Sequence, residues 1–233
     1  KNANLVAQLE TESLAAKAAE FKTTNNDDTI GWIRIPNTNV DYPVVYKAGV
    51  ENYAYYESKG YDKQYSKDGV IWADYECTFP ELSQNTTLYG HNWHNIYTPR
   101  TQANMQANDL MFSLVMSYNY TDFAQENPFV YFSTTEQDYV FQVFASYYTD
   151  LNFGYNYAQM SQEDFQKVIA EAKAKSLSNY NVPVTSEDKI VTLSTCTRVH
   201  GNTNNQRFVV MAKLVPVGTP STTISTHSNP TRE

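Results

Sequence analysis

The chain of 233 residues is poor in several features, and most of these scarcities exclude a class of protein. It carries only 2 cysteines and 8 glycines. Two cysteines allow one disulfide at most, which excludes a small scaffold held together by disulfides. A formal net charge of -8 argues against a general nucleic-acid binder. No apolar run reaches the length of a transmembrane helix, and no signal peptide is visible.

Aromatic residues, by contrast, are abundant, with 19 tyrosines and 11 phenylalanines. A chain of this length can bury a substantial core, and β barrels of this size are common as single domains. The aromatic content fits β structure, and it also fits an aromatic groove for a peptide or a sugar. Composition therefore favours a single β-rich domain and leaves its ligand open.

Two apolar runs near the end of the chain have the residue types of β-strands, and the polar segment 201–205 between them has the composition of a loop. The first run ends at Cys196, and the second begins at Arg207. Alternation along the first run puts Thr192, Ser194 and Cys196 on one face. The second run is nearly continuous in apolar residues, as expected of a strand covered on both faces. If the two strands pair, Arg207 returns to the level of Cys196.

A thiol at the end of a strand is a candidate nucleophile if a base or a cation lies near it. The chain contains 4 histidines. His91 follows a short strand-like run that stops at a glycine, so it is also expected at a strand end. His94 shares that loop, His200 lies in the loop between the two runs, and His227 lies in a polar tail. Position alone makes His91 the best candidate base for Cys196.

Several pieces of the sequence occur in the order found in one known family. They are Ile30-Gly31-Trp32-Ile33-Arg34-Ile35-Pro36, Val40-Asp41-Tyr42-Pro43-Val44-Val45, Asn52 to Tyr56, Asp68-Gly69-Val70-Ile71-Trp72-Ala73-Asp74-Tyr75, Tyr89-Gly90-His91-Asn92, Thr192-Leu193-Ser194-Thr195-Cys196 and Arg207-Phe208-Val209-Val210. Over roughly Ile30 to Val215 the chain resembles the class B sortases, which are cysteine transpeptidases of Gram-positive cell surfaces. The order of the motifs makes this resemblance specific.

The resemblance implies a role for each matching residue. Cys196 is expected to attack a carbonyl within a sorting motif near the C-terminus of a substrate protein, which forms a thioacyl intermediate. His91 is expected to act as general acid and base, and Arg207 to steady the oxyanion or hold the substrate backbone. Three further residues are expected to bind substrate: Ser194, Thr195 and Asn92. No acidic residue lies between Cys196 and Arg207, so a carboxylate from that segment is not expected to orient His91.

The resemblance also implies the fold. We expect a mainly β, sortase-like barrel of eight strands, with an N-terminal helix and a helix inserted before the strand that carries the cysteine. Residues 1–29 would form a helical segment packed on the barrel. Residues 30–216 would form the catalytic domain, and residues 217–233 a polar, flexible tail.

The implied partners follow from the reaction. The acyl donors would be surface or pilin proteins with a C-terminal sorting signal. The acceptor would be an amine of a peptidoglycan cross-bridge or of a pilin lysine. The enzyme would act at the extracellular face of the membrane, held by an anchor that the sequence does not contain. The resemblance implies neither a cofactor nor a metal, and His91 with His94 lacks the further ligands of a zinc site.

Periodicity adds the helices. The segment from Asn4 to Lys22 has apolar residues near helical spacing, and so has the segment from Asn108 to Tyr118. The clearest helix is predicted from Ser161 to Ser176, where Ser161 can cap the first turn and lysines suit the last. From Pro216 onward the chain is rich in Thr, Ser and Pro without an apolar stripe, which predicts poor order.

The sequence is also compatible with two other classes of function. A cysteine peptidase or amidase would use the same nucleophile with water as acceptor. A non-enzymatic surface adhesin would explain the aromatic and acidic composition, and it predicts that Cys196 is buried and unreactive. Both enzyme hypotheses, the transpeptidase and the peptidase or amidase, require that Cys77 form no disulfide with Cys196. Residues 25–29 contain no aromatic side chain that could plug the groove, so we expect the groove to be open to peptide.

Overall fold

A computed structural model of the chain describes residues 5–231. Ten strands are present in the described residues: β1 Thr29–Arg34, β2 Asp41–Val45, β3 Ile71–Ala73, β4 Asn85–Tyr89, β5 Phe129–Thr134, β6 Val140–Asp150, β7 Ser178–Asn179, β8 Ile190–Cys196, β9 Gln206–Val215 and β10 Ser225–Thr226. Three α-helices accompany them: α1 Leu14–Thr24, α2 Thr121–Glu126 and α3 Gln162–Lys175. Short 3-10 helices span Val50–Asn52, Gln102–Asn104 and Ser113–Asn119.

Eight of the strands form a closed barrel in the order β1-β2-β3-β4-β8-β9-β6-β5, while β7 and β10 pair separately. The predicted mainly β barrel of eight strands with added helices is therefore confirmed. Strand β8 lies between β4, with which it is parallel, and β9, with which it is antiparallel. In the β8–β9 pair Cys196 lies directly opposite Arg207. The predicted return of Arg207 to the level of Cys196 is confirmed.

Aromatic and branched side chains fill the barrel. Residues 208–212 of β9 are all buried, which confirms the prediction of a strand covered on both faces. Among the largest fully buried side chains of the described residues are Tyr118, Tyr147, Phe132 and Phe141. Burying one such apolar side chain stabilises the fold by about 1.5–3 kcal/mol. Part of the aromatic content thus forms the core, whereas Tyr53, Tyr65 and Tyr97 are exposed.

The N-terminal helix is shorter than predicted. It begins at Leu14, because the Ser13 side chain caps it by accepting a hydrogen bond from the Ala16 amide. Val6 forms a β-bridge with Pro220, so the residues described before the cap are not helical. The prediction that the helix begins at Asn4 was wrong within residues 5–13, and Asn4 itself lies outside the described residues. From Leu14 onward the helix packs on β1 and β5, as expected of a helix on the outside of the barrel.

The helix predicted from Asn108 to Tyr118 was also wrong in its bounds and type. Met111 has a φ of 52°, which a right-handed helix cannot contain. A 3-10 helix therefore starts only at Ser113 and ends at Asn119. Its residues from Ser113 to Tyr118 are all buried, so their apolar spacing does not mark one face of a helix.

Helix α3 is found where it was predicted, before the strand that carries Cys196. Ser161 caps it, since its hydroxyl accepts a hydrogen bond from the Asp164 amide at 3.1 Å. Phe165 and Ile169 are buried, and the helix packs against β6. None of the helices in residues 5–231 has both the length and the apolar surface to cross a bilayer.

The segment after residue 216 differs from the poorly ordered tail predicted for it. Strand β10 pairs with β7, and the carbonyl of Thr219 accepts a hydrogen bond from the Ala7 amide at 2.7 Å. Near the end of the described chain, the Thr231 amide donates to the carbonyl of Ala174 at 2.9 Å. Backbone hydrogen bonds hold this segment, and such bonds leave no apolar stripe in a sequence.

Candidate active site

Three strand ends converge at one side of the barrel. Cys196 is the last residue of β8, Arg207 is the second residue of β9, and His91 follows β4 by two positions. All three line one cavity of about 300 Å³. The structure therefore brings together the three residues that the sequence selected from separate segments.

Cys196 is a free, partly exposed thiol at the end of a polar row on β8. The two preceding residues on the same face are buried and hydrogen-bonded. Thr192 donates to the amide oxygen of Asn85 at 2.7 Å, and Ser194 shares a hydrogen bond of 2.8 Å with the Tyr155 hydroxyl. The hydroxyls of Thr192 and Ser194 are thus hydrogen-bonded within the protein, whereas Cys196 at the end of this face is partly exposed in the cavity.

The imidazole of His91 is held by rings and by one carbonyl. It stacks on Trp93, with 5.0 Å between ring centroids and 26° between planes, and Trp72 lies 5.6 Å away. Its Nε2 is 2.5 Å from the carbonyl oxygen of Glu57. A carbonyl only accepts hydrogen bonds, so Nε2 carries the hydrogen, and Nδ1 holds the lone pair of the neutral ring. The partner that orients this ring is a backbone carbonyl and not a carboxylate.

A glycine makes room for that ring. Gly69 has a φ of +63°, and a Cβ at this position would lie 2.8 Å from Cδ2 of His91. Any other residue would be strained there and would also push the imidazole. Gly69 therefore helps to position the His91 ring, a role that sequence reasoning did not assign to it.

The guanidinium of Arg207 is anchored to its own hairpin. Its Nη1 donates to the carbonyls of Asn204 and Gln206, both at 2.9 Å. These bonds fix one corner of the fork beside Cys196. A fixed cation beside the thiol can stabilise a negative charge that develops on a neighbouring oxygen.

The three residues expected to bind substrate divide into two groups. Ser194 and Thr195 line the cavity, whereas Asn92 does not. Asn92 is 3% exposed, and its amide donates to the backbone carbonyl of Cys196 at 3.2 Å. Thr195 is also buried, and its hydroxyl donates to the carbonyl of Gly90 at 2.7 Å.

Sequence reasoning missed a polar chain in the wall of the cavity. The hydroxyl of Tyr89 donates to Oδ2 of Asp74 at 2.7 Å and accepts a hydrogen bond from the Asn156 amide at 2.9 Å. Burial raises the pKa of Asp74. An acid directly after the apolar run of β3 was the available signal for Asp74. Nothing in the sequence placed Asn156 beside it.

The remaining cysteine and histidines, which are Cys77, His94, His200 and His227, do not line this cavity. Cys77 is 1% exposed, and burial raises the pKa of its thiol to about 12. His227 bonds to the carbonyl of Ser176, and His200 packs on the ring of Tyr148. No cluster of three or more His, Cys, Asp or Glu side chains suited to a metal ion occurs in residues 5–231.

Comparison with known proteins gives consistent matches. A family model described as "Sortase domain" matches residues 33–215. Sortase B of Staphylococcus aureus (strain NCTC 8325 / PS 47) is 30% identical over 193 residues, which cover 82% of this chain and 72% of that protein. Sortase B of Listeria monocytogenes serovar 1/2a is 29% identical over 191 residues, with 82% of this chain and 71% of that protein covered.

Solved structures match over most of the chain. The Staphylococcus aureus sortase B–substrate complex superimposes with a TM-score of 0.72 at 27% identity, covering 89% of this chain and 88% of that chain. Clostridium perfringens sortase B gives a TM-score of 0.68 at 27% identity, covering 84% of this chain and 98% of that chain. The family match over residues 33–215 spans all three strand ends that surround the cavity.

Proposed function

Since the chain belongs to the sortase family and is a cysteine transpeptidase of the sortase B type, we propose that Cys196 is its nucleophile. In this proposal His91 is the general acid and base, and Arg207 stabilises the oxyanion. The observation that carries the proposal is the opposition of Cys196 and Arg207 across β8 and β9, in a cavity that His91 also lines. Cysteine, base and cation are the groups that acyl transfer through a thioester needs.

The proposed reaction has two halves. His91 takes the proton of the Cys196 thiol, the sulfur attacks a carbonyl carbon of the donor, the C–N bond breaks, and His91 passes that proton to the departing amine. The acyl group is then held as a thioester on Cys196. In the second half an acceptor amine attacks the same carbon, His91 takes a proton from that amine, the C–S bond breaks, and His91 returns this proton to the sulfur to restore the thiol.

We infer the donor and the location from the family. The donor is a surface or pilin protein with a C-terminal sorting signal, and the catalytic domain is the barrel of residues 30–216. The Staphylococcus aureus relative was solved as a substrate complex, which supports a peptide donor in the equivalent cavity here. Ser194 and Thr195 lie in that cavity. The enzyme acts at the extracellular face of a Gram-positive membrane.

The identity of the acceptor distinguishes a transpeptidase from a peptidase. A transpeptidase passes the thioester to an amine of a peptidoglycan cross-bridge or a pilin lysine, whereas a peptidase passes it to water. The adhesin reading predicts a buried thiol, but Cys196 is partly exposed and lines the cavity. Protection of a thioester from water requires that the acceptor reach it before solvent does.

A direct test offers the enzyme a panel of sorting-motif peptides together with short amines and follows the products by mass spectrometry. The amines include a glycine peptide that mimics a cross-bridge and a lysine-bearing pilin domain. We expect amide product to replace hydrolysate as the amine concentration rises. Hydrolysate alone with every amine would favour the peptidase, and no cleavage of any peptide would leave the donor assignment without support.

A further inference from the structure

The loop that carries His91 is joined to the strand that carries Cys196 beyond the end of their sheet. Strands β4 and β8 run parallel, and their last register pair is Tyr89 with Ser194. One further backbone hydrogen bond follows, from the Gly90 amide to the carbonyl of Ser194 at 3.3 Å. At His91 the β4 chain has left the ladder, so regular pairing does not fix its distance from Cys196.

Two buried side chains continue the connection where the ladder stops. Thr195, the neighbour of Cys196, donates its hydroxyl to the carbonyl of Gly90 at 2.7 Å. Asn92 donates its amide in the opposite direction, to the carbonyl of Cys196 at 3.2 Å. Gly90 and Asn92 flank His91 on either side. The first bond therefore joins the residues that precede His91 and Cys196, and the second joins the residue after His91 to the carbonyl of Cys196.

These polar groups are used within the protein. The hydroxyl hydrogen of Thr195 is engaged by Gly90. The Nδ2 of Asn92 donates to the carbonyl of Cys196, and its Oδ1 accepts a hydrogen bond from the backbone amide of Asn95 at 3.0 Å. Thr195 and Asn92 are only 2% and 3% exposed. Asn92 does not line the cavity, so a substrate bound there does not reach its amide.

We infer that Asn92 and Thr195 are positioning residues, which hold His91 at a fixed distance from Cys196, and that Asn92 does not bind substrate. This inference rests on the proposed roles of His91 and Cys196. It predicts that loss of either side-chain bond slows the chemical step while substrate binding is preserved. A misplacement of about 1 Å at a reacting group can cost on the order of a hundredfold in rate.

The most informative variants are a matched pair at one position. Thr195→Val keeps the shape of the side chain but removes the donor, whereas Thr195→Ser keeps the donor. We expect Thr195→Val to lower kcat by about tenfold to a hundredfold with KM nearly unchanged, and Thr195→Ser to restore most of the loss. Asn92→Asp replaces the donating nitrogen by oxygen and adds a negative charge, so it should lower kcat at least as far as Thr195→Val. A rise in KM at constant kcat would instead assign these residues to substrate binding and overturn the inference.

A control for the loss of a buried hydroxyl is available on β4. Thr86 is fully buried, and its hydroxyl has no hydrogen-bond partner among residues 5–231. Thr86→Val should therefore leave kcat and KM at wild-type values and leave the unfolding temperature unchanged or higher. If Thr86→Val lowered kcat as much as Thr195→Val, the effect would be a general response of the barrel, and the positioning role would be rejected.

A second measurement needs no sorting peptide and separates this inference from the proposed function. Iodoacetamide alkylates Cys196 directly, and its rate is compared in the wild type, His91→Ala, Thr195→Val and the double variant. We expect Thr195→Val to move the rate toward that of His91→Ala and to add nothing in the double variant. Equal rates in the wild type and His91→Ala would overturn the proposed partnership of His91 and Cys196. A wild-type rate in folded Thr195→Val, when His91→Ala differs, would overturn the positioning role alone.

Discussion

The two cysteines of the chain occupy opposite kinds of environment. Cys196 ends a strand, is partly exposed and lines a cavity together with His91 and Arg207. Cys77 is 1% exposed, and its sulfur lies 3.9 Å from the carbonyl oxygen of Asn85. Burial raises the pKa of the Cys77 thiol to about 12, so at neutral pH it is almost wholly protonated. The difference shows that position at a strand end, and not the residue type, makes a thiol available for chemistry.

The largest expected effect exploits this contrast directly. Cys196→Ala should abolish both cleavage and transfer, because no thioester can form without the sulfur. His91→Ala should come close to the same loss. Cys77→Ala should leave the rate near that of the wild type, since this side chain lines no part of the cavity. Product formation by mass spectrometry with a sorting-motif peptide and an amine measures all three.

Thiol counting provides the control for that experiment. Both cysteines are free, so unreduced protein unfolded in denaturant should react at two thiols. The folded protein should react rapidly at Cys196 alone. Substantial transfer by folded Cys196→Ala, or a disulfide in fully active material, would contradict the assignment of the nucleophile.

A smaller loss is expected at the cation beside the thiol. A guanidinium is a rigid fork with several donors, whereas a lysine ammonium is a mobile point charge. Nη1 of Arg207 is already committed to the carbonyls of Asn204 and Gln206, so the fork is anchored in a way that lysine cannot reproduce. Arg207→Lys should therefore lower kcat by about a hundredfold or more. Near-normal turnover would make Arg207 a structural residue of the hairpin.

Part of this site could be predicted from local sequence. Alternation along β8 and loop composition at 201–205 were enough to place Arg207 opposite Cys196. A strand that stops at a glycine was enough to select His91. These features depend on neighbouring residues, and the sequence shows neighbours directly.

The supporting interactions could not be predicted in the same way. Asn92 contacts a carbonyl that is 104 residues away along the chain, and Tyr89 contacts Asp74 across a different strand pair. The first contact depends on the parallel pairing of β4 with β8 and the second on the pairing of β3 with β4, and no local pattern encodes either pairing. The same reason explains the end of the chain, where hydrogen bonds of β10 to β7 replaced the flexible tail expected from composition.

A pair of partly or fully buried carboxylates extends the comparison of the two cysteines. Burial alone would raise the pKa of Asp28, but hydrogen bonds from Tyr56 at 2.6 Å and from Lys63 and Lys47 lower it overall. Asp74 lies in the wall of the cavity, where burial raises its pKa despite the hydrogen bonds from the Glu76 amide and Tyr89. The fold thus favours the charged form of Asp28, whereas it disfavours the charged form of Asp74.

The smallest predicted effects concern stability, and they have opposite signs. A lowered pKa means that Asp28 stabilises the fold above its unfolded pKa of about 3.9 and that this contribution is lost as the pH falls through the folded pKa. Asp28→Asn should therefore lower the free energy of unfolding by about 1 kcal/mol at neutral pH, because the ion pairs of Asp28 are partly exposed, and by progressively less in acid.

A raised pKa means that Asp74 loses stabilising power as the pH rises through its folded pKa. Asp74→Asn should accordingly gain stability relative to the wild type between acid and neutral pH. Urea unfolding of the three proteins across that range measures both slopes, and parallel slopes would show that the two carboxylates do not differ as argued.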